Sequence, residues 1–297
     1  MTENFSEASY KRHKSHEAAH IASVPTIIDR PDTIDAWRHQ RINALLDPLI
    51  EQFSDKTWLT VGDMGGEAFY LKSRGAANVT ATNITAEKLL YLKRQGLMDG
   101  IFVEQLNAEN INKPDDSFDI VVCKESYHHF PRPPVAFYEL MRVARIAVAL
   151  IEPMERSSFR LLDFVKYLAK VVLRSKSEAA LQFEVSGNFL FRLSVPELKK
   201  MSTAMQFNCV AIREINDFYH GSTNLRSAHD AVPMTFTRFG IAAQNILCRT
   251  RLMTPGLISA LVFKAPVDNS TFVRLRKHGY RIYRLPRNPY GPIGSQT

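Results

Sequence analysis

Between residues 58 and 151 the sequence alternates short apolar segments with helical patterns, and this alternation constrains the fold more than any other feature. Such alternation is typical of βαβ units, in which parallel strands are joined by right-handed crossovers. The five strands predicted there are Trp58–Val61, Asn78–Thr82, Ile101–Gln105, Phe118–Cys123 and Ile146–Ile151. We therefore predict an α/β protein with a doubly wound, Rossmann-like parallel sheet.

The pattern changes after residue 153 but still contains strands. Two further apolar segments bring the predicted sheet to seven strands, and helical patterns surround them. The elements predicted there are, in chain order, a helical region over 156–182, a capped helix from Ser194 to about Met205, a strand at Val210–Ile215, partly helical residues 222–252 and a strand at Leu261–Lys264.

These elements predict one main domain with additions. The domain is expected over residues 34–265, and it carries a helical cap inserted at about 154–193. Residues 1–33 are predicted to be a flexible N-terminal arm, because they mix charges and contain two prolines. A helix over 33–53 should pack along the sheet. Residues 266–297 are predicted to be a basic C-terminal extension that, with the insertion, covers a substrate pocket.

The charge is unevenly distributed along the chain. Residues 1–153 carry a net charge of −4 and residues 154–297 a net charge of +12, within a total of +8. A basic half can attract nucleic acid, a membrane surface or an anionic small molecule. The sequence contains no dense run of Lys and Arg and no zinc-finger or RNA-recognition motif. We therefore expect an anionic small-molecule acceptor rather than nucleic acid.

The cysteines and the hydropathy indicate the compartment. Cys123, Cys209 and Cys248 are an odd number with no CxxC pair, which favours reduced thiols in a cytoplasmic protein. No window approaches the roughly 18 uninterrupted apolar residues of a membrane span. The polar N-terminal stretch has no apolar region typical of a secretory signal. We expect no metal site, and the sequence leaves the oligomeric state open.

A glycine-rich turn follows the first predicted strand. It contains Gly62, Gly65 and Gly66 and leads directly into a helix. Glycines allow a ligand to approach the backbone closely, and the helix N-terminus offers unpaired N–H groups. No GKS or GKT follows, which excludes a P-loop, and Met64 interrupts the dinucleotide fingerprint. The turn therefore indicates a nucleotide-like ligand of another kind.

Polar residues also follow the next strands, where open α/β sheets bind ligands. Asn83 ends the second strand about 20 residues after the turn, a position from which a side chain can bond ribose hydroxyls. Asn107, Ala108 and Glu109 follow the third strand and can contact the edge of an adenine. The segment from Lys124 to His129 follows the fourth.

In this order and spacing the motifs resemble the class I S-adenosylmethionine-dependent methyltransferases, and most of all the small-molecule branch called methyltransferase type 11. The resemblance covers roughly residues 56–153 and extends more loosely to 265. It implies S-adenosyl-L-methionine as cofactor and methyl transfer as the reaction. The residues that it implies for cofactor binding are Gly62, Asp63, Gly65, Gly66, Asn83, Asn107, Ala108 and Lys124.

Three positions depart from the family pattern. Thr60 stands at the usual acidic position of the first strand, Met64 replaces a glycine, and Asn83 replaces the carboxylate that binds ribose. An asparagine cannot form charge-assisted hydrogen bonds, which are roughly twice as strong as neutral ones. These departures predict weaker cofactor binding, or support for the cofactor from other residues.

Three residues after the fourth strand are candidates for catalysis. A hydroxyl acceptor needs a base near its proton, and histidine suits neutral pH. His128 and His129 are the leading candidates, although either can instead cap the next helix, and Glu125 can act as a base or pair with Lys124 or Arg132. Glu152 ends the fifth strand and is expected to cap the next segment rather than contact the acceptor. We expect that no metal ion takes part in catalysis.

The sequence thus predicts a methyltransferase for a small acceptor, such as a sugar or glycan precursor or a secondary metabolite. Methylation of oxygen is slightly favoured over methylation of nitrogen. Two alternatives stay open: a module that binds S-adenosylmethionine without turnover, and a nucleic-acid methyltransferase or binder. Arg281, Arg284 and Arg287 in the basic extension can clamp an anion or simply face solvent.

Overall fold

A computed structural model describes residues 5–21, 28–156, 160–172, 182–184 and 186–290. Its centre is one eight-stranded sheet with the strand order β3-β2-β1-β4-β5-β7-β6-β8. The strands are β1 Thr57–Val61, β2 Asn78–Asn83, β3 Ile101–Gln105, β4 Phe118–Lys124, β5 Ala144–Pro153, β6 Cys209–Ile215, β7 Leu257–Phe263 and β8 Arg281–Arg284.

Helices flank both faces of this sheet in the described ranges. They are α1 Phe5–Ile21, α2 Ile34–Asn43, α3 Asp47–Phe53, α4 Gly66–Ser73, α5 Glu87–Arg94, α6 Pro133–Val143, α7 Leu161–Val172, α8 Val195–Ala204, α9 Gly221–Asn224, α10 Ala231–Arg249 and α11 Asn269–Lys277. Short 3-10 turns occupy Ala44–Leu46 and Tyr127–His129.

The first five strands are parallel, whereas β7 runs antiparallel to both β5 and β6, and β8 runs antiparallel to β6. Two clusters of buried apolar side chains cover the two faces of the sheet. The central strands β4, β5 and β7 are mostly apolar because both of their faces are buried. The predicted α/β fold class is confirmed, with one strand beyond the seven expected.

The strand order reverses between β1 and β4, which lie side by side although β2 and β3 separate them in the chain. Loops at the carboxyl ends of strands beside such a reversal diverge and leave a crevice for ligands. The glycine turn follows β1, and the segment with the paired histidines follows β4. The fold therefore brings the two predicted binding segments together.

Residues 5–21 of the predicted N-terminal arm form the helix α1. His13 on this helix is only 4% exposed, and Asn188 donates a hydrogen bond to its ring at 3.3 Å. The single helix predicted over 33–53 is broken at Ala44–Leu46 into α2 and α3. Thr33 caps α2, since its hydroxyl accepts from the N–H of Ala36.

The helical insertion predicted at 154–193 is described only in part. Residues 161–172 form α7, while residues 157–159, 173–181 and 185 lie outside the described residues. The predicted capped helix is present as α8, in which the Ser194 hydroxyl accepts from the N–H of Glu197. None of the described helices is both long and apolar enough to cross a membrane.

The described part of the basic extension, residues 266–290, adds a helix and an edge strand to the sheet. It forms α11 and then β8, which pairs with β6 at the edge of the sheet. Tyr280 between them is 2% exposed, donates to the carbonyl of Leu45 at 2.8 Å and bonds the Ser259 hydroxyl at 2.7 Å. No described residue of 266–290 lines the cavities described below.

Candidate active site

The glycine turn after β1 lies directly against the segment after β4. Gly62 has a φ of +71°, and a side-chain carbon there would come within 2.5 Å of the Cβ of Ser126. The Ser126 hydroxyl donates to the Gly62 carbonyl at 2.7 Å. Only glycine suits this combination of positive φ and close approach. The contact fixes the two loops to each other at the head of the crevice.

Asp63 organises the turn from within. Its carboxylate accepts hydrogen bonds from the N–H of Gly65 at 2.6 Å and of Ala68 at 2.8 Å, and from the Thr60 hydroxyl at 2.7 Å. These bonds satisfy N–H groups at the start of α4, as a helix cap does. Asp63 is 1% exposed and lines neither cavity. Its side chain thus supports the loop, and Thr60 in the unusual position serves the same network.

A small cavity of about 40 Å³ lies beside the turn, at the ends of β2 and β3. The predicted binding residues that line it are Gly62, Asn83, Asn107 and Ala108. The Asn83 amide nitrogen donates to the Asp63 carbonyl at 3.0 Å, which leaves the side-chain oxygen as an acceptor for a ribose hydroxyl. Tyr10 and His13 of α1 also line this cavity, and α1 covers it on that side.

Asn188 fastens α1 to the rest of the site. Its amide nitrogen donates to the His129 carbonyl at 2.9 Å and lies 3.3 Å from Nδ1 of His13, while its oxygen accepts from the Ser9 hydroxyl at 3.4 Å. The His13 ring also meets Phe130 edge to face, with centroids 6.4 Å apart. The cover over the small cavity is therefore a packed, hydrogen-bonded helix.

A second, much larger cavity of about 740 Å³ continues from the other side of Gly62. Besides Gly62, five predicted site residues line it: Gly66, Lys124, Glu125, His128 and His129. His129 lines both cavities, and Gly65 lines neither. The remaining wall comes from residues that the sequence analysis did not select, namely Asp35, Arg38, His39, Met64, Glu67, Ser126, Pro153, Asp217, Tyr219, Gly256 and Leu257.

His128 is held by a fully buried carboxylate. Its Nδ1–H donates to Glu152 at 2.6 Å, and Glu152, which is 0% exposed, also accepts from the backbone N–H of Ser126 and of Tyr127. Such a carboxylate fixes the tautomer of the imidazole and leaves Nε2 able to accept a proton. The pairing brings together the ends of β4 and β5, and it gives Glu152 a role other than the predicted cap.

His129 has a different partner. Its Nδ1 bonds Glu184, a residue of the loop that also carries Asn188. The rings of His128 and His129 are 3.8 Å apart and tilted by 40°. His129 is 35% exposed at its side chain, against 12% for His128. The two histidines are thus distinguished by burial and by the carboxylate that each one faces.

A buried charge cluster lines the floor of the larger cavity. The Lys124 ammonium lies 2.6 Å from Glu67 and 3.1 Å from Glu125, and it is also 3.1 Å from Nδ1 of His39. Burial opposes the charged form of Lys124, but the two glutamates outweigh this effect and raise its pKa. Lys124 therefore stays charged and acts as the centre of the cluster.

The two glutamates respond to Lys124 in opposite ways. Burial raises the pKa of Glu67 to about 8, since the nearby Asp63 adds to the desolvation and Lys124 offsets only part of it. Burial also disfavours the charged form of Glu125, but Lys124 and His39 prevail and lower its pKa to about 2. One cation thus keeps one carboxylate ionised and leaves the other protonated near neutral pH. A carboxylate with a pKa near 2 is a weak base, so Glu125 suits catalysis less well than His128.

The strand order and the position of the crevice define the class I methyltransferase fold. Residues 59–151 match a family model described as "Methyltransferase domain". The match covers less than half of the chain and confirms the resemblance drawn from the motifs; the cofactor of that family is S-adenosylmethionine.

Two curated relatives share part of the chain. A fatty-acid O-methyltransferase of Mycolicibacterium smegmatis is 27% identical over 42% of this chain and 45% of its own length. A protein of Mycobacterium ulcerans, provisionally named phthiotriol/phenolphthiotriol dimycocerosates methyltransferase 2, is 30% identical over 29% of this chain and 34% of its own length. The chain thus matches less than half the length of these relatives.

The fold extends further than the sequence match. A solved structure from Galdieria sulphuraria, provisionally described as a sarcosine dimethylglycine methyltransferase, superimposes with a TM-score of 0.52 at 16% identity. The alignment covers 86% of this chain and 98% of the other. At this identity the likeness shows the fold alone, and it reaches well beyond residues 59–151.

The residues around the turn fit the cofactor of the family. Gly62 gives the open backbone that a ligand needs at the turn, and Asn83 offers an acceptor at the position of the ribose. Glu67 and Glu125 bring carboxylates to the cavity that would receive the cationic methionine part. Within the described residues, no group of three or more His, Cys, Asp or Glu side chains is arranged to hold a metal ion.

Proposed function

We propose that the chain transfers the methyl group of S-adenosylmethionine to a hydroxyl oxygen of a small, largely apolar acceptor. The observation that carries this proposal is the pair formed by His128 and Glu152. The imidazole faces a cavity of about 740 Å³ beside the glycine turn, and the carboxylate behind it is fully buried. This arrangement supports a general base for an acceptor that must lose a proton.

When bound, the cofactor supplies an electrophilic methyl group on a sulfonium. The part of His128 is to accept the hydroxyl proton at Nε2 while the acceptor oxygen forms its bond to the methyl carbon, the carbon–sulfur bond breaks and S-adenosylhomocysteine leaves. The Nδ1–H bond to Glu152 stabilises the imidazolium that results. Ser126 and Gly62 keep the two loops in register, which positions the acceptor for in-line attack.

Two observations favour an apolar alcohol over the anionic or sugar-like acceptor expected from the sequence. The guanidinium of Arg38 is already paired with Asp35 and Asp217, and Lys124 is paired with Glu67 and Glu125. The cations of the cavity wall are therefore neutralised. The two curated relatives carry names that assign them fatty acids and phthiotriols.

The need for a general base distinguishes a fatty-acid acceptor from an alcohol acceptor. A fatty acid is already ionised at neutral pH, because carboxyl groups have pKa values near 4, whereas an alcohol must be deprotonated during transfer. A histidine base held by a buried carboxylate, as His128 is by Glu152, is needed only for an alcohol. We therefore propose an alcohol as the acceptor, and the free thiols Cys123, Cys209 and Cys248 support action in the cytoplasm.

The test compares two matched variants, His128→Asn and His129→Asn. With long-chain alcohols and the corresponding fatty acids as acceptors, formation of S-adenosylhomocysteine is followed. We expect His128→Asn to lower kcat for the alcohols by about 10²- to 10⁴-fold, as for loss of a general base. His129→Asn should retain most activity, and calorimetry should show unchanged cofactor affinity in both. Equal losses in both variants, or turnover of fatty acids alone, would contradict the proposal.

A further inference from the structure

The helix α10 presents a continuous apolar stripe to solvent. Val232, Phe236, Phe239 and Ile246 are 82%, 45%, 70% and 59% exposed. Their spacing places them on one side of the helix, while Met234, Thr237 and Ile241 on the opposite side are buried against the domain. A helix packed only for stability would turn polar residues outward. We call the four exposed residues the α10 stripe.

A second exposed stripe lies on α7. Leu161, Phe164, Val165 and Leu168 repeat at helical spacing and are 41–60% exposed. The start of α7 is joined to the chain just after α10, because the N–H of Leu162 donates to the Leu252 carbonyl at 3.0 Å. In addition, the N–H of Thr254 donates to the Asp163 carboxylate at 2.8 Å. Two neighbouring helices therefore both expose apolar side chains.

The charged residues of these two helices are almost all basic. Lys166, Arg238 and Arg249 are exposed, whereas the one acidic residue, Asp163, is buried and bonded to the backbone. These basic residues contribute to the net charge of +12 on residues 154–297. Apolar side chains flanked by cations suit the interface of an anionic lipid layer, where they enter the acyl region and meet phosphate headgroups.

The α10 stripe is connected to the mouth of the larger cavity. The ring of Phe218 lies 5.3 Å from that of Phe236, centroid to centroid. Gly240 permits this contact, since a side-chain carbon there would come within 2.6 Å of the Phe218 ring. The next residue, Tyr219, lines the cavity and is 70% exposed. Docking through α10 would therefore bring the cavity mouth close to the lipid.

We infer that α7 and α10 form a docking surface for a membrane that carries anionic phospholipids. A second copy of this chain fits less well, because its symmetric contact would bring the arginines of two copies together. The docking itself is independent of catalysis. That it delivers an apolar acceptor to the cavity rests on the proposed function.

The test measures binding of the full chain to vesicles. Vesicles of phosphatidylglycerol mixed with phosphatidylcholine are compared with vesicles of phosphatidylcholine alone, by co-sedimentation without cofactor. We expect the wild type to prefer the anionic vesicles. Phe239→Ser should weaken binding at least about tenfold, from the lost burial of one large apolar side chain. Arg249→Gln should weaken binding about fivefold, and only on anionic vesicles.

The matched control is Phe102→Ser, a variant of an equally large side chain that is 64% exposed on β3, at the other end of the sheet. It should bind vesicles like the wild type. Absence of vesicle binding, or equal losses in Phe239→Ser and Phe102→Ser, would overturn the inference. So would a dimer in analytical ultracentrifugation that Phe239→Ser dissociates, since a second copy would then cover the stripe. Vesicle binding without transfer to any alcohol would instead leave the docking intact and remove the proposed function.

Discussion

At the scale of single residues, the pair of His128 and Glu152 shows what the sequence could and could not predict. His128 was identified because it follows the strand that delivers residues to the crevice. Glu152 stands 24 residues further on, at the end of the next parallel strand. Its contact with His128 depends on the register between β4 and β5, in which Lys124 lies opposite Ile151. Residue types alone do not specify that register, so the partner was missed.

Glu67 is a second residue whose role the sequence did not reveal. It follows the glycine turn in the first turn of α4, where an acidic residue is ordinarily explained by the helix dipole. Its importance lies in its burial and in its contact with Lys124, whose position 57 residues away no local pattern reveals. Its burial beside Asp63 raises the pKa of this carboxyl to about 8.

Glu67 gives a prediction for the pH dependence of cofactor binding. Because its pKa is raised to about 8, the free protein holds a proton there at pH 7. A cationic ligand in the adjoining cavity favours the ionised form, so binding should release a proton and become tighter as pH rises from about 6 towards 8. Calorimetry in buffers of different ionisation enthalpy measures both the number of protons released on binding and the affinity for the cofactor at each pH.

The control for this prediction is Glu67→Gln, which keeps a hydrogen-bond acceptor for Lys124 but cannot ionise. The amino group of the cofactor titrates in the same range, with a pKa near 8, and contributes equally in both proteins. The difference between the pH profiles of the wild type and of Glu67→Gln therefore reports the titration of Glu67 alone. An identical pH profile in the two proteins would show that Glu67 does not titrate on binding.

At the scale of elements, the strands that alternate with helices were predicted closely, and α1 was not. The strands are defined by local apolar runs bounded by turns, and such runs are stable only inside a sheet. The sequence of α1 mixes charged and polar residues and shows no apolar stripe. Its order comes from distant contacts, chiefly Asn188, which lies 175 residues from His13. A helix stabilised in this way leaves no signal in its own composition.

The helix α1 gives a prediction about cofactor exchange. Tyr10 and His13 close the small cavity, and Asn188 holds the helix in place. His13→Ala removes one of these ties and should raise the dissociation rate of S-adenosylmethionine about three- to tenfold, the equivalent of one lost hydrogen bond. Rapid dilution of the complex with labelled cofactor measures this rate.

A suitable comparison is Lys14→Ala, since Lys14 is the exposed neighbour of His13 on the same helix. It preserves the contact with Asn188 and should leave the dissociation rate unchanged. If His13→Ala also left it unchanged, α1 would not limit exchange of the cofactor.

At the scale of the whole molecule, the sequence predicted the α/β architecture but separated residues 266–297 from it. The basic and proline-rich composition of that segment is typical of a surface tail. The structure instead places Leu275 and Tyr280 in the apolar layer that also contains Trp58. The sheet therefore needs α11 and β8 for its completion, and the predicted boundary near residue 265 does not separate an independent unit in the structure.

Tyr280 gives a prediction for the stability of this closure. Tyr280→Phe removes the donor to the buried Leu45 carbonyl and the partner of the Ser259 hydroxyl. We expect the free energy of unfolding to fall by about 1–3 kcal/mol, the cost of leaving buried polar groups unpaired. Denaturant titration measures the change. Tyr283→Phe on the edge strand is the matched control and should stay within about 0.5 kcal/mol; equal losses would place the effect elsewhere.

The strand order has a consequence for synthesis on the ribosome. In the sheet β6 lies beside β7, and β7 leaves the ribosome later than β6. Domains generally begin to fold from the N-terminal side as the chain emerges, so β1 to β5 can assemble while β6 waits without a neighbour. During that interval the nascent chain carries an unpaired strand, and a chaperone that binds extended apolar segments would find its target between residues 209 and 215.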